Sequence, residues 1–424
     1  MTPEIEKRIK AVQAGRVPAG YKRTKVGIVP KEWDVQSFGE ISFKTGRKKK
    51  KEEDYPVYSI NNQKGFCSQA EQFENDGYAN TSKDSYTLVE KDTFAYNPAR
   101  INIGSIGLLK EPDKVIISSL YVCFGLNKNC NLSFFESYFK SHRFNYDVSN
   151  YTEGSVRQYL FYDNFSKINV AIPPLSEQKK IAEILATQDR VIELKEKLIA
   201  EKQSQKKYLM SVLLGDDFKK PFKLNGVTID KKKWEKVRCE KILFPSGKRN
   251  KENLNLEPYA ITNEYGFVPQ KQAHDDFGYM KNVDRSAYII VSSNSFGYNP
   301  ARINVGSIGY YDGSEDIIVS SLYEVFKTTD AIDDRFLWHW FKSDVFPKWI
   351  DKLQEGSVRQ YFYYDKLIRC EINLPPLPEQ KAIADVLSAA DEEISLLQKG
   401  LEQEKLKKKS LMQLLLTGLV RVKV

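Results

Sequence analysis

The 424-residue sequence has only three histidines, His142, His274 and His339, and five cysteines, Cys67, Cys123, Cys130, Cys239 and Cys370. The cysteines are odd in number and include no C-x-x-C pair, which argues against both a disulfide framework and a zinc site. They read as reduced, mostly buried thiols. The histidines are scattered, and none recurs in the repeat described below, so a repeated metal or acid-base site would lack its usual imidazole. No run of about 18 apolar residues is present, and the opening MTPEIEKRIKAVQAG is charged and helical rather than a signal peptide, so a soluble, intracellular protein is expected. The chain has no Walker loop and no dinucleotide fingerprint. Its Pro-Pro pairs, within 172 to 175 and 374 to 377, lack the Asn or Asp before and the aromatic after that an amino-methyltransferase uses. The 56 acidic residues form no distinctive cluster. These absences point to binding rather than turnover, with no catalytic, cofactor or metal residues expected in the chain.

What is present begins with charge. Lys and Arg total 65, giving a net charge of +9 and a pI near 8.9, a moderately basic balance that suggests an acidic partner such as nucleic acid. A hydrophobic content of 41% supports ordinary cores, and the length suggests several domains.

The chain is organised around PPLSEQKKIAEILATQDRVIELKEKLIAEKQSQKKYLMSVLL, from Pro173 to Leu214. It has no internal proline or glycine, and Ser176, followed by Glu177 and Gln178, is placed to cap the first turn. Ile181, Leu185, Ile192, Ile199, Leu209 and Leu213 form a narrow apolar seam, with Gln188, Lys195, Lys202 and Lys206 at its other places. Such a helix needs a partner to bury its stripe. The partner is PPLPEQKAIADVLSAADEEISLLQKGLEQEKLKKKSLMQLLL from Pro375 to Leu416, with a seam at Ile383, Leu387, Ala390, Ile394, Leu397, Leu401, Leu411 and Leu415. It sits 202 residues later, since 383 − 181 = 202.

The preceding globular regions are duplicated at the same offset. FAYNPARINIGSIG at 94 to 107 returns as FGYNPARINVGSIG at 296 to 309, identical at 12 of 14 positions. ISSLYVCF returns as VSSLYEVF, and EGSVRQYLFYD as EGSVRQYFYYD. Upstream the offset is 201, aligning Trp33 with Trp234 and YSINNQKGF with YAITNEYGF, while 67 to 82 and 268 to 284 diverge. The expected division is a helical segment at 1–19, a globular domain at 20–172, a long helix at 173–214, a linker at 215–230, a second globular domain at 231–374, a second long helix at 375–418 and a tail at 419–424. Ile5, Ile9 and Val12 give the first segment an apolar face that is expected to pack on a domain. The expected fold is α+β: two similar globular domains separated by an antiparallel intramolecular coiled coil and related by a pseudo-twofold axis. Helix length alone would place the domains up to about 58 Å apart.

Three duplicated motifs are candidate DNA contacts. A basic loop carries Arg47, Lys48, Lys49 and Lys50, with Lys248, Arg249 and Lys251 in the second copy; flexible cations beside a glycine turn suit phosphates. Y-N-P-A-R-I-N carries Tyr96, Asn97, Arg100 and Asn102, and then Tyr298, Asn299, Arg302 and Asn304. Its Asn-Pro reads as a turn and its INIGSIG as a glycine-punctuated strand, and the forked groups of Arg and Asn match guanine and adenine edges. E-G-S-V-R-Q-Y carries Ser155, Arg157, Gln158 and Tyr159, with Ser357, Arg359, Gln360 and Tyr361 as mates, on a turn before each domain's last strand. Each motif also has a structural reading: a solvated charge run, a turn whose Arg pairs with a buried carboxylate, and a folding role for Gly154 and Tyr159.

Two such domains, each closed by P-P-L-x-E-Q-x-x-I-A and a long helix with a leucine-rich end, resemble the specificity subunit of type I restriction-modification systems. GYKRTKVGIVPKEW is similar to the start of that family's first target-recognition domain. The resemblance covers essentially the whole chain. It implies a non-catalytic, cytoplasmic prokaryotic DNA-binding subunit whose two target-recognition domains each read half of a bipartite double-stranded site, with the coiled coil setting the spacer. It further implies two docked methyltransferase subunits making N6-methyladenine from S-adenosylmethionine, and two restriction subunits that translocate and cut, with ATP and Mg in those partners. Recognition domains of one subunit are usually dissimilar; near-identity here leads to an expectation of similar, inverted half-sites. The contrasting expectation is a non-DNA scaffold with two protein- or glycan-binding heads.

Overall fold

The computed structural model describes residues 2–68, 85–154, 158–215, 220–273, 284–353 and 361–423. The chain divides into two units, Met1–Glu196 with Gly400–Val424, and Lys197–Lys399. Mixed helix and sheet make both α+β.

In the first unit a four-stranded antiparallel sheet has the order Ile106–Leu108, Phe94–Tyr96, Val122–Leu126, Ser42–Lys44. A three-stranded sheet follows the order Lys114–Ile117, Thr87–Glu90, Arg47–Lys48, and Asp34–Ser37 pairs with Asn169–Ile172. The core is aromatic: Trp33, Phe38, Phe94, Phe124, Phe135 and Phe165 are all fully buried. Phe94 and Phe124 stack at 5.4 Å between ring centroids across adjacent strands.

The second unit repeats these sheets with Leu243–Pro245, Glu324–Thr328, Ser295–Tyr298 and Ile308–Tyr311, and with Lys248–Arg249, Ile289–Val291 and Ile317–Val319. Phe296 and Phe326 stack at 5.2 Å, matching the first unit's pair. Glu235–Arg238 pairs with Glu371–Leu374.

The long helices run over Leu175–Leu214 and Leu377–Leu416. Each unit contains half of both, and within each unit the halves are antiparallel. In the first, Glu196 pairs with Lys405 at 3.3 Å and Asp189 with Lys408. In the second, Lys202 pairs with Glu393 at 2.7 Å and Lys206 with Asp391. Polar seam positions are thus matched by opposite charges, and buried Gln188 donates to the Glu404 carboxylate at 2.8 Å. Ile181, Leu185 and Leu415 enter the first unit's core, and Leu213, Ile383 and Leu387 the second's. Ile199, Ile394 and Leu401 are also buried, whereas Ile192, Leu209, Leu397 and Leu411 are half-buried. The stripe is buried best where a globular core meets it.

Two expectations change. Ser176, expected as the cap, lies inside the helix as its second residue, and Glu177 and Gln178 turn to the domain instead. Gln178 takes Asn131 N–H at 2.7 Å and donates to the carbonyls of Asn129 and Pro173, and Gln380 repeats this with Asp333, Ala331 and Pro375. The pair therefore locks the helix start to the loop before the domain's helix Leu132–Phe139, or Asp334–Lys342 in the second unit. The N-terminal helix Pro3–Gln13 keeps Ile5, Ile9 and Val12 half-buried, and its Arg8 lies over the Tyr21 ring and donates to the Leu419 carbonyl. Finally, a helical turn, Tyr162–Phe165 or Tyr364–Leu367, separates E-G-S-V-R-Q-Y from the last strand.

Candidate nucleic-acid interface

Strand register brings the duplicated motifs to one end of each four-stranded sheet. Tyr96 lies opposite both Ile106 and Val122, so the loop 97–105 and the turn 118–121 leave from the same end. Lys44 lies opposite Phe124, and Thr45 N–H donates to the Cys123 carbonyl, so the chain leading into the basic loop exits there too. Leu160 N–H donates to the Pro98 carbonyl at 3.0 Å, placing E-G-S-V-R-Q-Y beside N-P-A-R. Ser105 Oγ donates to the Ile60 carbonyl at 2.8 Å, adding the hairpin of Tyr58–Asn61 and Gly65–Ser68. The second unit reproduces these bonds through Phe362 to Pro300 at 3.0 Å and Ser307 to Ile261 at 2.8 Å.

The N-P-A-R loop is held by its own side chains. Asn97 Oδ1 accepts from Ala99 N–H at 3.0 Å, and Asn299 does the same for Ala301. A short 3-10 helix, Ile101–Ile103 or Ile303–Val305, follows and stops at Gly104 or Gly306, whose φ angles of 88° and 86° lie in the left-handed region that favours glycine. INIGSIG is therefore a helical turn first and becomes a strand only at Ile106, which corrects the strand reading. The second glycine of the motif permits close packing: a Cβ on Gly107 would meet Gly65 Cα at 2.8 Å.

The predicted contact residues separate into groups. Arg100, Asn102, Arg302 and Asn304 are exposed on this rigid loop, and among the described residues no carboxylate pairs with either arginine. The buried-partner reading thus has no partner. Asn97 and Asn299, half-buried, serve the loop. Tyr96 and Tyr298 are fully buried core residues, so their assignment as DNA-facing is corrected. Burial raises both phenols far above their usual range. Tyr159 stacks on exposed Phe161 at 5.7 Å, and Tyr361 on exposed Tyr363 at 5.4 Å. Gln158 is exposed, while Ser155, Arg157, Ser357, Arg359 and Gln360 lie outside the described residues.

In the basic loop, Arg47 is held by Glu53, with Nη1 donating to Oε2 at 2.8 Å. That bond, assisted by Lys50 N–H, pushes the Glu53 carboxyl down to about 2. Lys49 Nζ donates to the Glu53 carbonyl at 3.1 Å. Lys48 and Lys50 are exposed, and their ammonium groups have no partner among the described residues. Lys248, Arg249 and Lys251 are likewise exposed and unpaired there. The arrangement suits phosphate contact by lysines flanking arginine and asparagine edges.

Motif reading passed over the hairpin tips and the S-S-L-Y turns, 118–121 and 320–323. Their signal was their own duplication. Tyr121 of the first turn is raised by burial, and its hydroxyl accepts from Ile60 N–H at 3.5 Å, which sets the turn against the hairpin.

All five cysteines are buried and unbonded, and burial pushes Cys123 up to about 12. Among the described residues no group of His, Cys, Asp and Glu is arranged to hold a metal ion, and no helix is long and apolar enough to cross a membrane.

A sequence family described as the type I restriction modification DNA specificity domain matches residues 30–202 and again 216–406. The chain belongs to this family and carries its domain twice. The specificity subunit of the type I restriction enzyme MjaVIII from Methanocaldococcus jannaschii is 28% identical over 425 residues, covering 93% of this chain and 94% of that protein. Among solved structures, one describing complex assembly and conformational transition of the type I R-M system has a TM-score of 0.57 at 15% identity, covering 92% of this chain and 99% of the other. The type I restriction-modification S subunit from M. genitalium gives 0.53 at 14% identity, with 92% and 97% covered. At these identities the two structural likenesses concern the fold alone.

Proposed function

We propose that this chain gives a type I restriction-modification complex its DNA sequence specificity, each unit reading one half of a bipartite double-stranded target. The observation that carries the reading is the repeated face: the same exposed arginine and asparagine on the same braced loop, beside unpaired cations, at the same end of the same sheet in both units. Arg100 and Arg302 read base edges, while Lys48, Lys50, Lys248, Arg249 and Lys251 hold phosphates and position the duplex. The two long helices, shared by both units, set the spacer and receive two methyltransferase subunits. S-adenosylmethionine, ATP and Mg belong to those methyltransferases and to two restriction subunits that join them in the cytoplasm. The chain itself contributes no chemistry.

Because the two faces are nearly identical, the half-sites are similar and inverted, making the target close to a spaced palindrome. Mapping methylated adenines in a host that carries the complete system tests this. Two related, inverted half-motifs with a fixed gap are expected; two unrelated half-motifs would overturn the palindrome.

A further inference from the structure

Leu120 and Leu322 are the two most exposed large hydrophobic side chains among the described residues, at 77% and 76%. They occupy the same position of the duplicated S-S-L-Y turn. Neither is a frayed loop residue. Leu120 N–H donates to Ser118 Oγ at 3.3 Å and Tyr121 N–H to the Ser118 carbonyl at 3.2 Å; Leu322 and Tyr323 repeat this at 3.3 and 3.1 Å. Each turn joins two sheet strands directly, Lys114–Ile117 to Val122–Leu126 and Ile317–Val319 to Glu324–Thr328, so the leucine sits on a rigid base. The loop that leaves the same end of the sheet carries a second exposed aliphatic, Ile103 at 54% and Val305 at 52%.

An aliphatic side chain braced in water gains nothing from phosphates. The face around it is nonetheless cationic and forked, with Arg100, Asn102, Lys48 and Lys50, which selects DNA as the occupant. Of the groups that base pairs present in the major groove, the only aliphatic one is the thymine C5 methyl. We infer that Leu120 and Leu322 each pack on a thymine methyl, one in each half of the target, and add a base preference that the arginines do not supply. This rests on the reading of the chain as a DNA specificity subunit.

The test uses the full chain and the duplex it enriches from a random-sequence pool. Each thymine is replaced singly by deoxyuridine, which removes the methyl and keeps the pairing. Wild-type chain is expected to bind about fourfold more weakly after replacement of one particular thymine in each half, the loss of one buried methyl. L120A should be indifferent to replacement in one half and L322A in the other, both with unchanged salt dependence. Exposure of the two leucines leaves folding intact, which circular dichroism checks. If the selected duplex binds but no thymine responds, or the variants respond as wild type does, this inference fails alone. If no duplex is enriched, the specificity reading fails and takes this inference with it.

Discussion

The indole N–H of Trp33 donates to Glu177 Oε2 at 3.0 Å, deep in the first unit, and Arg421 from the C-terminal tail bonds the same carboxylate at 2.7 and 2.9 Å. In the second unit Trp234 donates to Glu379 at 2.9 Å, and the further partner is the Asp230 N–H at 3.2 Å rather than an arginine. The carboxylate of the P-P-L-x-E-Q motif is thus a buried tie between helix start and domain wall.

Glu177→Ala strands the fully buried Trp33 indole N–H and removes one of the two carboxylates that hold Arg421, the other being Glu32 at 2.6 Å, so it should cost about 2 to 3 kcal/mol of stability. Glu379→Ala strands only neutral donors and should cost about 1 to 2 kcal/mol. Urea denaturation of the two variants checks the order, E177A below E379A.

That tie shows where sequence reading stops. The two long helices were legible because a 40-residue seam repeats in register, and so was the duplication of the domains. The role of Glu177 was not, since its partner Trp33 lies 144 residues away and nothing local announces it. Tyr96 misled for a related reason. A motif places it next to exposed residues, but Phe94, Ala95 and Tyr96 are all buried, because the strand is covered on both faces and the usual alternation vanishes. Arg100 was identifiable by residue type, whereas its exposure depends on an Asx turn and a left-handed glycine that only the folded loop reveals.

Phosphate contacts should appear in the salt dependence of DNA binding. K48A and K50A should each reduce the slope of log affinity against log salt by about 1 without altering sequence preference. R47A should change it less, because Glu53 already holds that guanidinium. Filter binding across a salt series measures all three, and a wild-type slope near zero would contradict phosphate contact by these lysines.

His339 makes the second unit acid-sensitive. Burial, with Lys206 adding to it and Asp391 opposing, pushes its imidazole down from 6.5 to about 4, while Nε2 sits 3.1 Å from Ser388 Oγ. Between those values the unfolded chain takes up a proton that the folded chain refuses, so stability falls as pH drops from about 6.5 to about 4, by on the order of 3 kcal/mol in total. H339Q should flatten this part of the pH profile in equilibrium denaturation. The aligned residue of the first unit is Ser137, which has no such titration.

The two recognition faces are tested most directly by the arginines. Arg100→Ala and Arg302→Ala remove exposed side chains and should leave the fold unchanged, while each lost base contact costs about 1 to 3 kcal/mol of discrimination. Sequencing the duplexes enriched by wild type, R100A and R302A from a random pool is the decisive measurement. The expected result is two half-motifs at fixed spacing for the wild type, one half relaxed by R100A and the other by R302A. A single contiguous motif, or loss of the same positions in both variants, would contradict the assignment of one half-site to each unit.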